Sequence, residues 1–221
     1  FIEMSSVLCE YLSDRFAQIR NIILSAYPPN CKPPDPYRFQ PQSIENRSEY
    51  KTIPPVPNGT FDIIKSSNLY PDIQSYLSNP KNEACFQEIC SKLIIRVEQS
   101  KIIINHAIIN PLVLFLFRVI EANKNEGKME SFVLLLKILN SFSSNEMRDA
   151  LFNAILNNIR YPNAVTFYFI EFIFFLFQVQ NQEPIQEHAI MMLQARFSGE
   201  NPFPWGITYT MFELFRNPKF N

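Results

Sequence analysis

Ala164 to Val179 reads AVTFYFIEFIFFLFQV, sixteen residues in which only Thr166, Glu171 and Gln178 are clearly polar. A helix built from this stretch is apolar on nearly every face, so it needs neighbours on nearly every side. A membrane span is the first rival, but the run falls short of the ~20 residues a bilayer needs and carries Glu171 near its middle. A strand is the second, since Phe, Tyr and Ile suit strands, yet sixteen unbroken residues exceed the usual strand of about five or six. The stretch therefore predicts a buried central helix, capped by Asn163 just after the Tyr161-Pro162 stop. Glu171 is expected to reach the edge of the helix assembly or to pair with a buried Arg, because a carboxylate buried alone costs several kcal/mol.

The sequence on both sides is helical in rhythm. Upstream, Leu151, Phe152, Ile155, Leu156 and Ile159 share a face, opened by a capping box in which Glu146 follows Ser143 by three. Downstream, Pro184 takes the first position of a helix running through Phe197 and stopped by Gly199, and Pro202-Phe203-Pro204-Trp205 opens a last helix to Phe215. Ser131–Leu139 is another apolar helix, separated by the polar loop Asn123–Gly127 from a long apolar segment, Lys101–Glu121. Pro111 lies inside that segment and is expected to kink one helix; the alternative is a second helix capped by Asn110. Phe86, Ile89, Cys90, Leu93, Ile94 and Val97 follow steps of three and four, an amphipathic helix, and Asp72–Leu77 is a short turn or helix closed by Asn79-Pro80.

The first sixty residues differ. Ser5–Leu12 reads as the end of a helix, and Ser13-Asp14 opens a second one along Arg15–Ala26, with Phe16, Ile19, Ile22, Ile23 and Ala26 at helical spacing. Nine of the 17 prolines then fall between Pro28 and Pro57. Proline donates no backbone hydrogen bond, so residues 28–60 form neither helix nor central strand. They are either a flexible linker or an arm pinned to the surface, with Tyr27, Tyr37, Phe39 and Ile53 as candidate anchors. The fold expected is one all-α domain over 1–221, eight or nine helices joined mainly by short turns, with at most a short strand pair. Such a succession makes a bundle or an α-solenoid of antiparallel helix pairs.

Composition excludes several functions. Hydrophobic residues make up 47% of the chain, with 21 Phe, which suits a packed core rather than a disordered segment. Four glycines are too few for phosphate-cradling loops, and no G-x-S-x-G or G-x-G-x-x-G occurs. Twenty basic residues balance 21 acidic ones and no two basic residues are adjacent, unlike the basic stripe of a nucleic-acid binder. Cys9, Cys31, Cys85 and Cys90 form no C-x-x-C pair and read as reduced thiols of an intracellular protein, with Cys85 and Cys90 as small apolar filling. Phe1 in place of Met, without a charged leader and apolar run, is expected of a fragment with no signal peptide, so the acceptor patterns at Asn46 and Asn58 are discounted. His106 and His188 lie on different predicted helices without ligand spacing and read as a surface or a satisfied core histidine. Trp205 reads as a core anchor. No catalytic residue, cofactor site or metal site is assigned.

A more specific signal comes from motifs taken together. RNIILSAYP at Arg20–Pro28 is followed by PDPY at Pro34–Tyr37, and LFNAILNNIRYPN spans Leu151–Asn163. Phe167-Tyr168-Phe169, Ile185-Gln186-Glu187, NPFPWG at Asn201–Gly206, Phe212-Glu213-Leu214 and Asn217-Pro218 follow in order. In order and spacing these blocks resemble the C-terminal domain of the large scaffold subunit of the Ccr–Not deadenylase complex. The match is close at both ends of the chain and loose from about Ile44 to Ser143, and family members continue beyond the equivalent of Asn221. The resemblance implies a HEAT-like α-solenoid with no active site and with residues 28–60 as an extended arm. It implies docking of Not-box partner subunits and of short peptides from RNA-binding recruiter proteins, in the service of mRNA deadenylation, mRNA decay, translational repression and transcription regulation. It also implies a place in the cytoplasm and nucleus, and no direct contact with nucleic acid, membrane or metal. The matched positions Arg20, Asn21, Asp35, Pro36, Tyr37, Arg160, Tyr161, Asn163, Pro204 and Trp205 are the partner-binding residues it suggests. A helical-repeat RNA-binding domain and a transport adaptor are the alternatives; the first needs a basic face, the second more repeats and an acidic concave surface.

Overall fold

A computed structural model of the chain describes residues 18–19, 22–23, 51–98, 101–142, 145–199 and 204–216. The chain forms two compact units, Phe1–Arg47 and Ser48–Asn221. In the first, Gln18, Ile19, Ile22 and Ile23 are helical, inside the helix expected over Arg15–Ala26. The expected helix at Ser5–Leu12, and Arg20, Asn21, Asp35, Pro36 and Tyr37, lie outside the described residues.

Among its described residues, the second unit is helical with one hairpin. Its elements are α1 (Asp62–Ser66), α2 (Leu69–Ser78), α3 (Glu83–Lys92), β1 (Ile94–Glu98), β2 (Lys101–Ile104), α4 (His106–Ala122), α5 (Lys128–Ser141), α6 (Asn145–Asn157), α7 (Ala164–Gln178), α8 (Glu183–Gly199) and α9 (Trp205–Arg216). From α4 onward the helices alternate between two layers. One layer packs α4 on α6 and α6 on α8; the other packs α5 on α7 and α7 on α9. Consecutive helices such as α4 and α5, or α7 and α8, make the contacts between layers. Side-by-side packing of alternate helices is how a HEAT-like stack buries a continuous core from units that cannot bury one alone.

α7 occupies the middle of its layer, with α5 and α9 on its flanks and α4 and α8 behind it. Its all-round apolarity is thereby used: every residue from Val165 to Ile170 is buried, as are Phe172, Ile173 and Leu176. Asn163 caps it as expected, its side-chain oxygen accepting from the Thr166 N–H at 3.0 Å. Phe132 of α5 lies between aromatic rings of α7, 5.2 Å from Tyr168 and 5.6 Å from Phe172. Glu171 reaches the edge of the assembly, its side chain 36% exposed, and pairs there with Lys128 of α5. No described helix is long and apolar enough to cross a membrane.

Three expectations need correction. The helix expected to run to Val97 stops at Lys92, and the segment from Ile94 turns into a hairpin. Ile94 pairs with Ile104 and Val97 with Ile102, with a bulge between Ile94 and Arg96 that leaves Ile95 outward and exposed. Ile94, Ile95 and Val97 are β-branched, stiff at χ1 and better accommodated on a pleated surface. Second, α4 consequently begins at His106 rather than Lys101, and Pro111 sits inside it without splitting it in two. Third, α8 begins at Glu183, so Pro184 takes its second position, where its missing N–H is still one the helix does not need. The capping box at Ser143 lies outside the described residues.

The end of the proline-rich segment is pinned, though not by the anchor expected. Ile53 is 39% exposed. The ties are to backbone carbonyls instead: Ala164 N–H donates to the Thr52 carbonyl at 2.9 Å, and the Arg118 guanidinium donates to the Pro54 carbonyl at 2.8 Å. Proline-rich chain leaves such carbonyls unused, and the first N–H groups of a helix lack partners of their own, so each supplies what the other lacks. Tyr27, Tyr37 and Phe39 lie outside the described residues. Arg118→Ala is expected to cost about 1 kcal/mol locally for one charged hydrogen bond at a half-exposed site. That speeds trypsin cleavage after Lys51 by about fivefold where opening precedes cutting. An unchanged cleavage rate would show that other contacts hold the segment.

Candidate docking surface

The connection between α6 and α7, Asn158–Asn163, is tied through its backbone carbonyls to α7 and α9. Thr166 Oγ donates to the Asn158 carbonyl at 2.9 Å and also to that of Tyr161. Trp205 N–H donates to the Arg160 carbonyl at 3.1 Å, joining the turn to the first residue of α9. Ile159 is fully buried beneath the turn, and the Ile159 carbonyl and side chain press on Gly206. A Cβ at Gly206 would stand 2.6 Å from that carbonyl oxygen and 2.8 Å from the Thr166 methyl. Only glycine permits so close an approach.

This construction brings together five of the ten residues suggested by the sequence and separates them by role. Asn163 caps α7, and Pro204 is buried at the entry to α9, its carbonyl accepting from Thr208 Oγ at 3.1 Å. Both are structural. Arg160 is exposed and Tyr161 is 71% exposed, so the fixed turn presents them to solvent. Trp205 is half-buried, edge-on to Phe167 at 5.6 Å and stacked on Tyr209 at 5.4 Å with the ring planes 10° apart. It is a core anchor through Phe167, as expected, with part of its surface open. Tyr209 escaped sequence reasoning, although a Trp and a Tyr four residues apart on a predicted helix share a face.

His106 is exposed at the start of α4. His188 is buried, stacked on Phe152, with Nε2 2.7 Å from Asp149 Oδ1, so it is a satisfied core histidine. Burial pushes the Cys90 thiol up to about 11, with the Glu83 carboxylate adding to the rise, so it stays protonated and inert. Cys85 Sγ is 3.3 Å from Ser75 Oγ. Among the described residues no group of three or more His, Cys, Asp or Glu is placed to hold a metal.

Known proteins agree with the motif resemblance. The whole chain, residues 1–221, matches the family described as "CCR4-Not complex component, Not1". It is 30% identical over 228 residues to the CCR4-NOT transcription complex subunit let-711 of Caenorhabditis elegans, covering 99% of this chain and 9% of that protein. It is 25% identical to the general negative regulator of transcription subunit 1 of Schizosaccharomyces pombe, covering 97% of this chain and 10% of that one. The chain thus spans about a tenth of the length of these relatives. Among solved structures, the NOT1 superfamily homology domain from Chaetomium thermophilum superposes with a TM-score of 0.71 at 23% identity, covering 98% of this chain and 45% of that one. A Not1 C-terminal domain in complex with Not4 gives 0.67 at 23% identity, covering 96% and 46%. With its two-layer helical fold, and with a family match from the first residue to the last, the chain belongs to the Not1 family of CCR4-Not complex components.

Proposed function

We propose that this chain is a non-catalytic scaffold domain that docks Not-box partner subunits of the Ccr–Not complex, with Arg160, Tyr161 and Trp205 at the centre of one docking surface. The observation that carries this reading is an exposed Arg-Tyr pair on a turn whose backbone is already fixed, beside an open Trp-Tyr stack. Trp, Tyr and Arg dominate the energetics of interfaces, because they bury much area with few rotatable bonds. A turn that needs no ordering on binding avoids an entropic cost that a mobile loop incurs. The similar Not1 domain that was solved in complex with Not4 supports partner docking as the role of such domains.

In this reading residues 1–221 act as one scaffold domain, 28–60 as its arm, and Arg20, Asn21, Asp35, Pro36 and Tyr37 are further partner-binding residues in their own right. Short peptides of RNA-binding recruiter proteins form a second class of ligand. The domain itself contacts no nucleic acid and needs no cofactor or metal. Its work in the cytoplasm and nucleus is to hold together the machinery of mRNA deadenylation, mRNA decay, translational repression and transcription regulation.

The test is titration of the chain with the purified Not-box region of a partner subunit from the same organism. Tyr161→Ala and Arg160→Glu are each expected to weaken binding by about 10- to 30-fold, the loss typical of an interface hot spot. The Tyr161 side chain is 71% exposed, so thermal stability should not move in Tyr161→Ala. Unchanged affinity in both variants removes this surface from partner docking.

A further inference from the structure

A second surface lies on the layer built from α4, α6 and α8. Between α4 and α6 runs a groove of about 540 Å³, within the ~300–1,000 Å³ of ligand clefts. Its floor is apolar: Ile104, Ile109, Ala150 and Ala154 are all buried. The small side chains of Ala150 and Ala154 keep it open. Its α6 wall is polar and reads Glu146, Asp149, Asn153, Asn157, with His106 and Asn110 of α4 opposite.

That wall is oriented from behind by α8. Buried His188 holds Asp149 through Nε2, and Arg196 donates to Asn153 Oδ1 at 2.8 Å and to Asn157 Oδ1 at 3.1 Å. With each amide oxygen turned to Arg196, each amide keeps its NH2 group as a donor. The wall therefore offers carboxylates at the Glu146 end and paired amide donors at the Asn157 end. Residues 149, 153 and 157 recur every four positions, about 6 Å apart along a helix axis. Successive same-side groups of an extended chain recur every two residues, about 6.7 Å apart. The two repeats match over a run this short. From Glu146 to Asn157 is about 16 Å, room for about five extended residues.

We propose that the α4–α6 groove captures an extended peptide. Its basic side chain faces Glu146 and Asp149, and its backbone carbonyls accept hydrogen bonds from the side-chain amides of Asn153 and Asn157. Charge sets the direction. The two carboxylates at one end and the Arg196 guanidinium at the other favour a Lys or Arg at the first end and an acidic or neutral residue at the second. The floor accommodates small apolar side chains between them. This inference rests on the scaffold reading, and places one class of its ligands on residues other than Arg160, Tyr161 and Trp205.

An array of nine-residue peptides probed with the full chain tests it. Selected sequences are expected to share a Lys or Arg at one position. Glu146→Lys with Asp149→Asn should lower their affinity about tenfold and erase that preference, since the lost attraction becomes partly repulsive. Glu146→Lys alone, on an exposed side chain, serves where the double variant loses stability. Asn153→Ala and Asn157→Ala should each weaken all selected peptides by about fivefold, whatever their sequence, because backbone contacts carry no sequence preference. Absence of any selected family, selection that survives Glu146→Lys, or displacement of the peptides by an oligouridine RNA overturns the proposal. The same variants should bind the Not-box region normally. Loss of peptide selection alone therefore bears on the groove, and loss of Not-box binding in the Tyr161 variant bears on the scaffold reading.

Discussion

Phe172→Ala and Phe169→Ala are each expected to lower unfolding free energy by about 3–5 kcal/mol, whereas Phe175→Ala costs about half as much. The first two rings are wholly buried, while Phe175 keeps part of its surface in solvent. Truncation removes the transfer free energy of the ring and leaves a cavity whose cost depends on how far the walls collapse. Around Phe172 the walls hardly yield. Phe132 stands 5.6 Å away on α5, and α7 is braced by α5, α9 and the layer behind it. Near Phe175, 5.7 Å from Phe132, water and the end of the helix lie within reach. Urea denaturation at unchanged slope is the measurement, because a changed slope reports an altered unfolded state rather than lost packing. Equal losses at all three positions, or none, would contradict the placement of α7 between its neighbours.

The contrast among these rings also shows what a sequence can disclose. The existence, extent and cap of α7 were legible because length and all-round apolarity are local properties, and Asn163 after a proline stop is a local signal. The neighbours of α7 were not. Glu171 is joined to Lys128 from another helix, and no periodicity encodes such a pair. The hairpin was missed for a related reason: Leu93, Ile94 and Val97 continue the helical steps of Phe86 and Ile89, and only pairing with Lys101–Ile104 reveals a strand. At the described end of the proline-rich segment, Ile53 is an exposed side chain and the ties run to the carbonyls of Thr52 and Pro54, which no residue type announces. For the proposed docking surface, residue identities came from family motifs. Their division into caps, anchors and exposed groups depends on the Trp205–Arg160 hydrogen bond and the packing of Gly206, which are tertiary facts.

Gly206→Ala provides the sharpest check on that tertiary reading, because propensity and packing predict opposite signs. In an ordinary helix the change from glycine to alanine gains about 1 kcal/mol. Gly206 is the second residue of α9, and no left-handed backbone conformation stands in the way. Sterics reverse the outcome. The new methyl would overlap the Ile159 side chain and stand 2.6 Å from the Ile159 carbonyl oxygen. A side-chain tip can rotate aside, but this carbonyl belongs to a turn whose neighbours at Asn158 and Tyr161 are tied to Thr166. Relief must come from moving the start of α9, at the expense of the Trp205 to Arg160 hydrogen bond. Overpacking of this kind costs about 1–3 kcal/mol, and more where backbone must shift, so a net loss of about 2 kcal/mol is expected. Gly199→Ala is the control. Nothing lies within 4 Å of its added methyl, and it should leave stability unchanged or slightly raised. The affinity of the folded Gly206→Ala protein for a Not-box region should also fall, since the shift unseats the turn that presents Arg160 and Tyr161. If the two glycine variants prove equally stable, the close approach of α9 to this turn is wrong, and the docking surface built on it loses its frame.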